Sequence, residues 1–201
     1  MSVDPRFTGA LLDDEAVAGA RVLTELVGRP DALVVLGSGL ADALDEAWGA
    51  PAATVPLGAI PGVLAPVADG HGGELRSYER DGGAVLVATG RTHLYEGLGP
   101  RPVTAVARAA VAAGISRAVL TNANGCLKPW NLGDVMAITD HVNLSGASPF
   151  DGPLFLDVSA LWDPEMTEAL RGVCQREGVY AMVRGPEYQT RAETRILAGL
   201  G

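Results

Sequence analysis

Two cysteines in 201 residues, Cys126 and Cys174, with no Cys-x-x-Cys or Cys/His spacing around them, give neither a disulfide framework nor a zinc site. A reducing, cytoplasmic setting is the expectation. Basic residues are scarce as well: 15 Lys and Arg stand against 24 Asp and Glu, for a formal net charge of −9, and no window concentrates the positive ones. Sequence-independent binding of nucleic acid rests on neutralising phosphates with Lys and Arg, so no nucleic-acid partner is expected. An anionic substrate has to be met by local groups. No apolar run approaches the length needed to cross a bilayer, and the N-terminal stretch MSVDPRFTGALLDDEA carries acids where a signal peptide carries bases. Neither membrane insertion nor export is expected.

What the chain does have is apolar material, 48% of its residues, enough for one substantial core. Residues 13 to 27 place acids before apolar residues at helical spacing, with Gly28 and Pro30 as stop signals, and predict a first helix. Short continuous apolar runs predict buried strands at Ala32 to Leu36, Ala84 to Ala88, Arg117 to Thr121, Val135 to Thr139 and Val179 to Val183. Helical patterns alternate with them: LADALDEAW after Gly37 to Leu40, and an alanine-rich stretch from Val103 to Ala113. This order predicts an α/β fold, a single three-layer domain over residues 1–201 with a mixed, largely parallel central sheet flanked by helices. The Gly/Pro/Ala-rich stretch from Gly49 to Gly73 reads as irregular.

In such sheets ligands bind at the carboxyl ends of the strands, and the motifs fall there. Gly37, Ser38 and Gly39 follow the first strand, where two glycines permit a tight turn that aims backbone N–H groups and the Ser38 hydroxyl at an anion. A third glycine for a dinucleotide fingerprint is missing, as is the Lys-Ser/Thr of a P-loop, so a simple turn remains the other reading. His71 sits within a glycine cluster, suited either to closing over a ligand or to a plain surface loop. GRTHLYEG, after AVLVA, carries Arg91 as a forked cation suited to phosphate, His93 and Tyr95 on one side if the segment is extended, and Glu96 to orient an imidazole. TNANGCL, from Thr121, offers small residues that let backbone N–H groups approach a ligand, or an ordinary Asn/Gly turn. In RGPEYQTRAE, Thr190 and Glu193 have capping-box spacing and predict a last helix. Tyr188 and Gln189, just before it, suit stacking on and hydrogen bonding to a planar base, although Tyr188 also fits a hydrophobic staple.

Taken together, GSGL, GHGGEL, GRTHLYEGL, TNANGCL, GDVMAITDHVNLSGASPFDG, FLDVSALWD and GVYAMVRGPEYQTRAE, in that order, resemble the trimeric purine nucleoside phosphorylase family, which also includes methylthioadenosine phosphorylase. The resemblance implies phosphate-dependent cleavage of the N-glycosidic bond of purine nucleosides in purine salvage, with inorganic phosphate as co-substrate and neither metal nor organic cofactor. It implies that Ser38, His71, Arg91 and the backbone N–H of Ala123 bind phosphate. It places His93 beside phosphate and sugar with Glu96 in support, Tyr95 on the ribose, and Tyr188 and Gln189 on sugar and base. A homotrimer is the implied assembly. Gln189 stands where guanine- and hypoxanthine-specific members carry Glu, so weakened use of guanosine is expected. After LAGLG the family continues into strands carrying further base and sugar contacts, so the resemblance predicts a domain incomplete at its C-terminal side. Two alternatives follow from this: an inactive homologue that binds phosphate or nucleoside weakly or only assembles with its relatives, and a methylthioadenosine phosphorylase. The second is disfavoured by Asn122, typical of the nucleoside branch.

Overall fold

The computed structural model describes residues 12–27, 30–64, 73–81, 83–150 and 154–201. The backbone forms two compact units, one of residues 1–123 with 148–152, the other of 124–147 with 153–201.

The first unit is built on a five-stranded sheet in the order β2-β3-β4-β1-β5. Its strands are β1 (Pro30–Val35), β2 (Ala53–Pro56), β3 (Glu74–Arg80), β4 (Gly83–Ala88) and β5 (Arg117–Leu120). β4, β1 and β5 run parallel, whereas β2-β3 and β3-β4 are antiparallel. The sheet is therefore mixed, with its parallel part where the apolar runs were continuous. The reason is visible in β1 and β4. Leu33, Val35, Leu86 and Ala88 enter one core, while Val34, Leu36, Val85 and Val87 enter a second on the opposite face. A strand covered on both sides cannot alternate apolar with polar.

Helices α1 (Asp14–Val27) and α3 (Pro100–Ala112) supply the first core with Leu23, Ala105, Val106 and Ala109. Small residues let them close on each other: a Cβ at Gly19 would lie 2.8 Å from that of Ala109. Asp13 fixes the start of α1 by accepting the Ala16 N–H at 2.8 Å, the N-cap contact, and also pairs with Arg101 and Arg108 of α3. On the opposite face, Leu40, Leu44 and Trp48 pack against Tyr78 and Val87. Only the end of that segment is helical, α2 (Asp45–Trp48), so the helix expected over LADALDEAW is reduced to a single turn preceded by hydrogen-bonded turns at Leu40 to Ala43 and Asp42 to Asp45.

The stretch from Gly49 to Gly73 is not irregular in its first half. It supplies β2, then a 3₁₀ turn, Leu57–Ala59, with Leu57 and Ile60 fully buried in the first core. Its residues 65–72 lie outside the described residues. β3 has no counterpart among the predicted strands, because its charged residues interrupt the apolar pattern.

The second unit pairs β6 (Met136–Asn143) in parallel with β7 (Arg176–Met182), with an irregularity between Ile138 and Asp140. The crossover carries α4 (Pro164–Arg171), capped by Asp163, which accepts the Met166 N–H at 2.8 Å. α5 (Arg191–Ala198) begins at Thr190 with the expected capping box. The Glu193 N–H donates to Thr190 Oγ1 and the Thr190 N–H to Glu193 Oε2. The α/β class and the positions of five predicted strands are thus confirmed, with three of the five described strand pairings parallel.

Candidate functional site

Three of the singled-out segments leave the carboxyl ends of the three adjacent parallel strands. Ser38 and Gly39 follow β1, Arg91 to Glu96 follow β4, and Thr121 to Ala123 follow β5. Thr121 ties them together. Its hydroxyl accepts the Gly37 N–H at 2.9 Å and donates to the Val35 carbonyl at 3.2 Å, and its own carbonyl accepts Arg91 Nη1 at 2.6 Å. The Leu36 N–H donates to the Ala88 carbonyl at 2.9 Å, joining the ends of β1 and β4 as well. At Gly37 the two loops nearly touch: a Cβ there would lie 2.8 Å from Asn122 Cα and from the Thr121 carbonyl oxygen. Gly39 has φ 77°, the left-handed conformation that lets the chain reverse immediately after the exposed Ser38.

Tyr95 and Glu96 sit on a 3₁₀ turn, Leu94–Glu96, and only His93, its N-cap, keeps the extended backbone. The turn nevertheless brings the His93 and Tyr95 rings into a parallel stack, centroids 4.7 Å apart and planes within 12°. Glu96 Oε1 accepts the His93 backbone N–H at 2.7 Å and lies 3.2 Å from His93 Nδ1. A proton on Nδ1 would be held there, leaving Nε2 as the acceptor of a neutral ring. The Glu96 side chain is 4% exposed, and its second oxygen, Oε2, is buried with no hydrogen-bond partner. Tyr95 is half-exposed. Partial burial raises its phenol pKa above the ordinary value, the Glu96 carboxylate adds to this, and Arg91 opposes it. The phenol is therefore a neutral donor throughout the physiological range.

Ser38, Arg91, His93, Tyr95, Glu96 and Ala123 all belong to the first unit, Ala123 being exposed. Tyr188 and Gln189 belong to the second, both exposed, Tyr188 at 98%. His71 lies outside the described residues. Thr121 is the member whose side chain sequence reasoning passed over; its signal is a hydroxyl at the last position of the RAVLT strand run. Among the described residues, no group of three or more His, Cys, Asp or Glu is placed to hold a metal ion, and no helix is long and apolar enough to cross a membrane.

A sequence model described as the phosphorylase superfamily matches residues 31–201. The chain belongs to the phosphorylase superfamily. Within this superfamily it is 41% identical over 194 residues to the purine nucleoside phosphorylase of Mycobacterium tuberculosis, covering 94% of this chain and 72% of that one. The purine nucleoside phosphorylase of a Cellulomonas species is 42% identical over 179 residues, covering 85% and 63%. The fold of the superfamily is matched by a Schistosoma mansoni purine nucleoside phosphorylase isoform, solved with cytosine and ribose-1-phosphate. That match has a TM-score of 0.79 at 26% identity and covers 96% of this chain and 74% of that one.

Proposed function

We propose that the chain is a purine nucleoside phosphorylase that converts purine ribonucleosides and deoxyribonucleosides into free purine and (deoxy)ribose 1-phosphate, as a step of purine salvage. The observation that carries this reading is the junction at Thr121, which gathers a serine-bearing glycine turn, an arginine and a loop of small residues at the ends of three parallel strands. Such a place supplies N–H, O–H and guanidinium donors to one small anion. In this proposal Ser38, Arg91 and the Ala123 N–H bind phosphate there, and His71 is a further phosphate ligand by the family resemblance alone. The likeness to a phosphorylase solved with ribose-1-phosphate supports the same reading.

In the reaction a phosphate oxygen forms a bond to the anomeric carbon from the face opposite the base. The bond from that carbon to the purine nitrogen breaks, its electron pair departs with the purine, and the purine takes up a proton. The sugar passes through an oxocarbenium-like state, so an anion held close beneath it stabilises the developing positive charge. His93, oriented by Glu96, lies beside phosphate and sugar. Tyr95 donates to a ribose oxygen, and Tyr188 and Gln189 contact sugar and base. Phosphate is the co-substrate, and the reaction calls for neither a metal nor an organic cofactor. The active assembly in this proposal is a homotrimer, which native mass spectrometry tests.

The direct test of the site is turnover of inosine with and without phosphate. Release of hypoxanthine should require phosphate, and Arg91→Ala should lower kcat/KM by about 100-fold or more, the scale of removing a donor aimed at transition-state charge. Phosphate-independent release, or an Arg91→Ala variant with full activity, contradicts the assignment.

A further inference from the structure

The turn that carries Ser38 is held on one side by Thr121. What holds its other side is β3, a strand with no predicted part in the reaction. Arg76, Tyr78 and Arg80 alternate along β3 and reach segment 40–48, which continues from the Ser38 turn. Tyr78 meets Trp48 edge to face, centroids 5.4 Å apart, and Arg80 lies over the Trp48 ring at 4.6 Å and donates to its carbonyl at 2.9 Å. These two secure the far end of the segment. Its near end is held by Arg76. Nη1 of Arg76 binds Asp45 Oδ1 at 2.8 Å and reaches the Ala41 carbonyl at 3.4 Å, and Nη2 lies 3.8 Å from Asp42 Oδ1. Nε is bound to Glu74 Oε2 at 3.0 Å, so the guanidinium is fixed to its own strand while it grips the turn. The Arg76 side chain is 16% exposed, whereas those of Asp42 and Asp45 are 83% and 49% exposed. The interior partner is thus the arginine, and the exposed carboxylates are what it holds.

We propose that Arg76 is a positioning residue for phosphate: by fixing Ala41, Asp42 and Asp45 to β3 it sets the conformation of the Gly37–Leu40 turn and so the placement of the Ser38 hydroxyl and the adjoining N–H groups. This rests on the assignment of that turn to phosphate. The turn closes on the Leu40 N–H to Gly37 carbonyl bond at 3.1 Å, and the segment that leaves it is the one Arg76 holds. Arg76 touches no reacting atom.

The sign of a charge-removal experiment separates positioning from electrostatics. Stripping Asp42 and Asp45 of their carboxylates takes two negative charges away from the neighbourhood of an anion site, which on electrostatics alone tightens phosphate binding. If the carboxylates serve as anchor points for Arg76, the same change loosens the turn and weakens binding. The affinity for inorganic phosphate, measured by calorimetry, and the KM values for phosphate and inosine are compared in the full chain and its R76Q, D42A/D45A and S38A variants. Both R76Q and D42A/D45A are expected to weaken phosphate binding by about fivefold to tenfold, the scale of one lost charge-assisted contact, with the inosine KM within about twofold of the parent. D42A/D45A alters exposed side chains and decides the matter even if R76Q fails to fold. Unchanged or tighter phosphate binding in D42A/D45A overturns the proposal, as does an R76Q change that falls equally on both substrates. Phosphate affinity indifferent to S38A overturns the assignment of the turn itself, and the role of Arg76 with it.

Discussion

Gln189 differs from a carboxylate at the same place in one respect that bears on base recognition. An amide accepts through its oxygen and donates through its nitrogen, whereas an ionised carboxylate only accepts. A 6-oxopurine presents a ring N–H, and guanine adds an exocyclic amine, also a donor; xanthine presents a second carbonyl in that position. Gln189→Glu should therefore shift preference toward guanosine relative to xanthosine by about tenfold, the scale of one mismatched buried polar pair. Parallel kcat/KM measurements on guanosine, inosine and xanthosine check it, and an unaltered ratio removes Gln189 from base selection. At this scale the sequence made legible the mutual contacts of crowded side chains, with Glu96 on the His93 ring and Tyr95 beside it. Thr121 was not legible, because a hydroxyl at a strand end is common and its bonds to Gly37 and Val35 span more than 80 residues of sequence. Arg76 was hidden in the same way, its Asp45 partner being 31 residues away.

Secondary-structure elements carry two predictions. α1 begins at Asp13, whose carboxylate pKa lies below its usual value, first because the Ala16 N–H donates to it and further because of Arg101 and Arg108; burial opposes the shift. A carboxylate with a depressed folded pKa contributes stability that is present above its unfolded value, about 3.9, and is lost as pH falls through the folded value. Asp13→Ala should therefore cost about 1 kcal/mol at neutral pH. The difference in thermal midpoint between the two proteins should shrink steadily as pH falls below about 4. A difference independent of pH contradicts the capping account. The second concerns the end of β1. Gly37→Ala places a methyl against backbone atoms of Thr121 and Asn122, which cannot rotate away as a side chain can. A cost of about 1–3 kcal/mol is expected, with phosphate affinity reduced alongside, read by denaturant unfolding and calorimetry. Normal stability and phosphate binding in that variant would mean that the two loops do not meet so closely. The two central strands of the larger sheet were legible for a physical reason. β1 and β4, covered on both faces, read as unbroken apolar runs. β3 did not, because Arg76 and Arg80 use their stems and charges on the segment above them. LADALDEAW read as a helix because Leu40, Leu44 and Trp48 are spaced four apart. They do share one apolar face, but only the last turn takes up helical geometry.

For the whole molecule, a net charge of −9 sets a long-range field that opposes the approach of phosphate. An anion-dependent reaction on such a protein must rest on donors collected at one point, and the ends of β4, β1 and β5 are where this chain collects them. Family membership and the α/β class could be read from the order of the motifs. In the proposed reaction phosphate, and not water, takes the sugar from the purine, and the product discloses which nucleophile acted. Inosine incubated with the protein and inorganic phosphate, followed by phosphorus NMR, should show a ribose 1-phosphate signal growing in step with hypoxanthine, with neither product formed when phosphate is omitted. Free ribose as the product, or hypoxanthine released at the same rate without phosphate, would contradict the account.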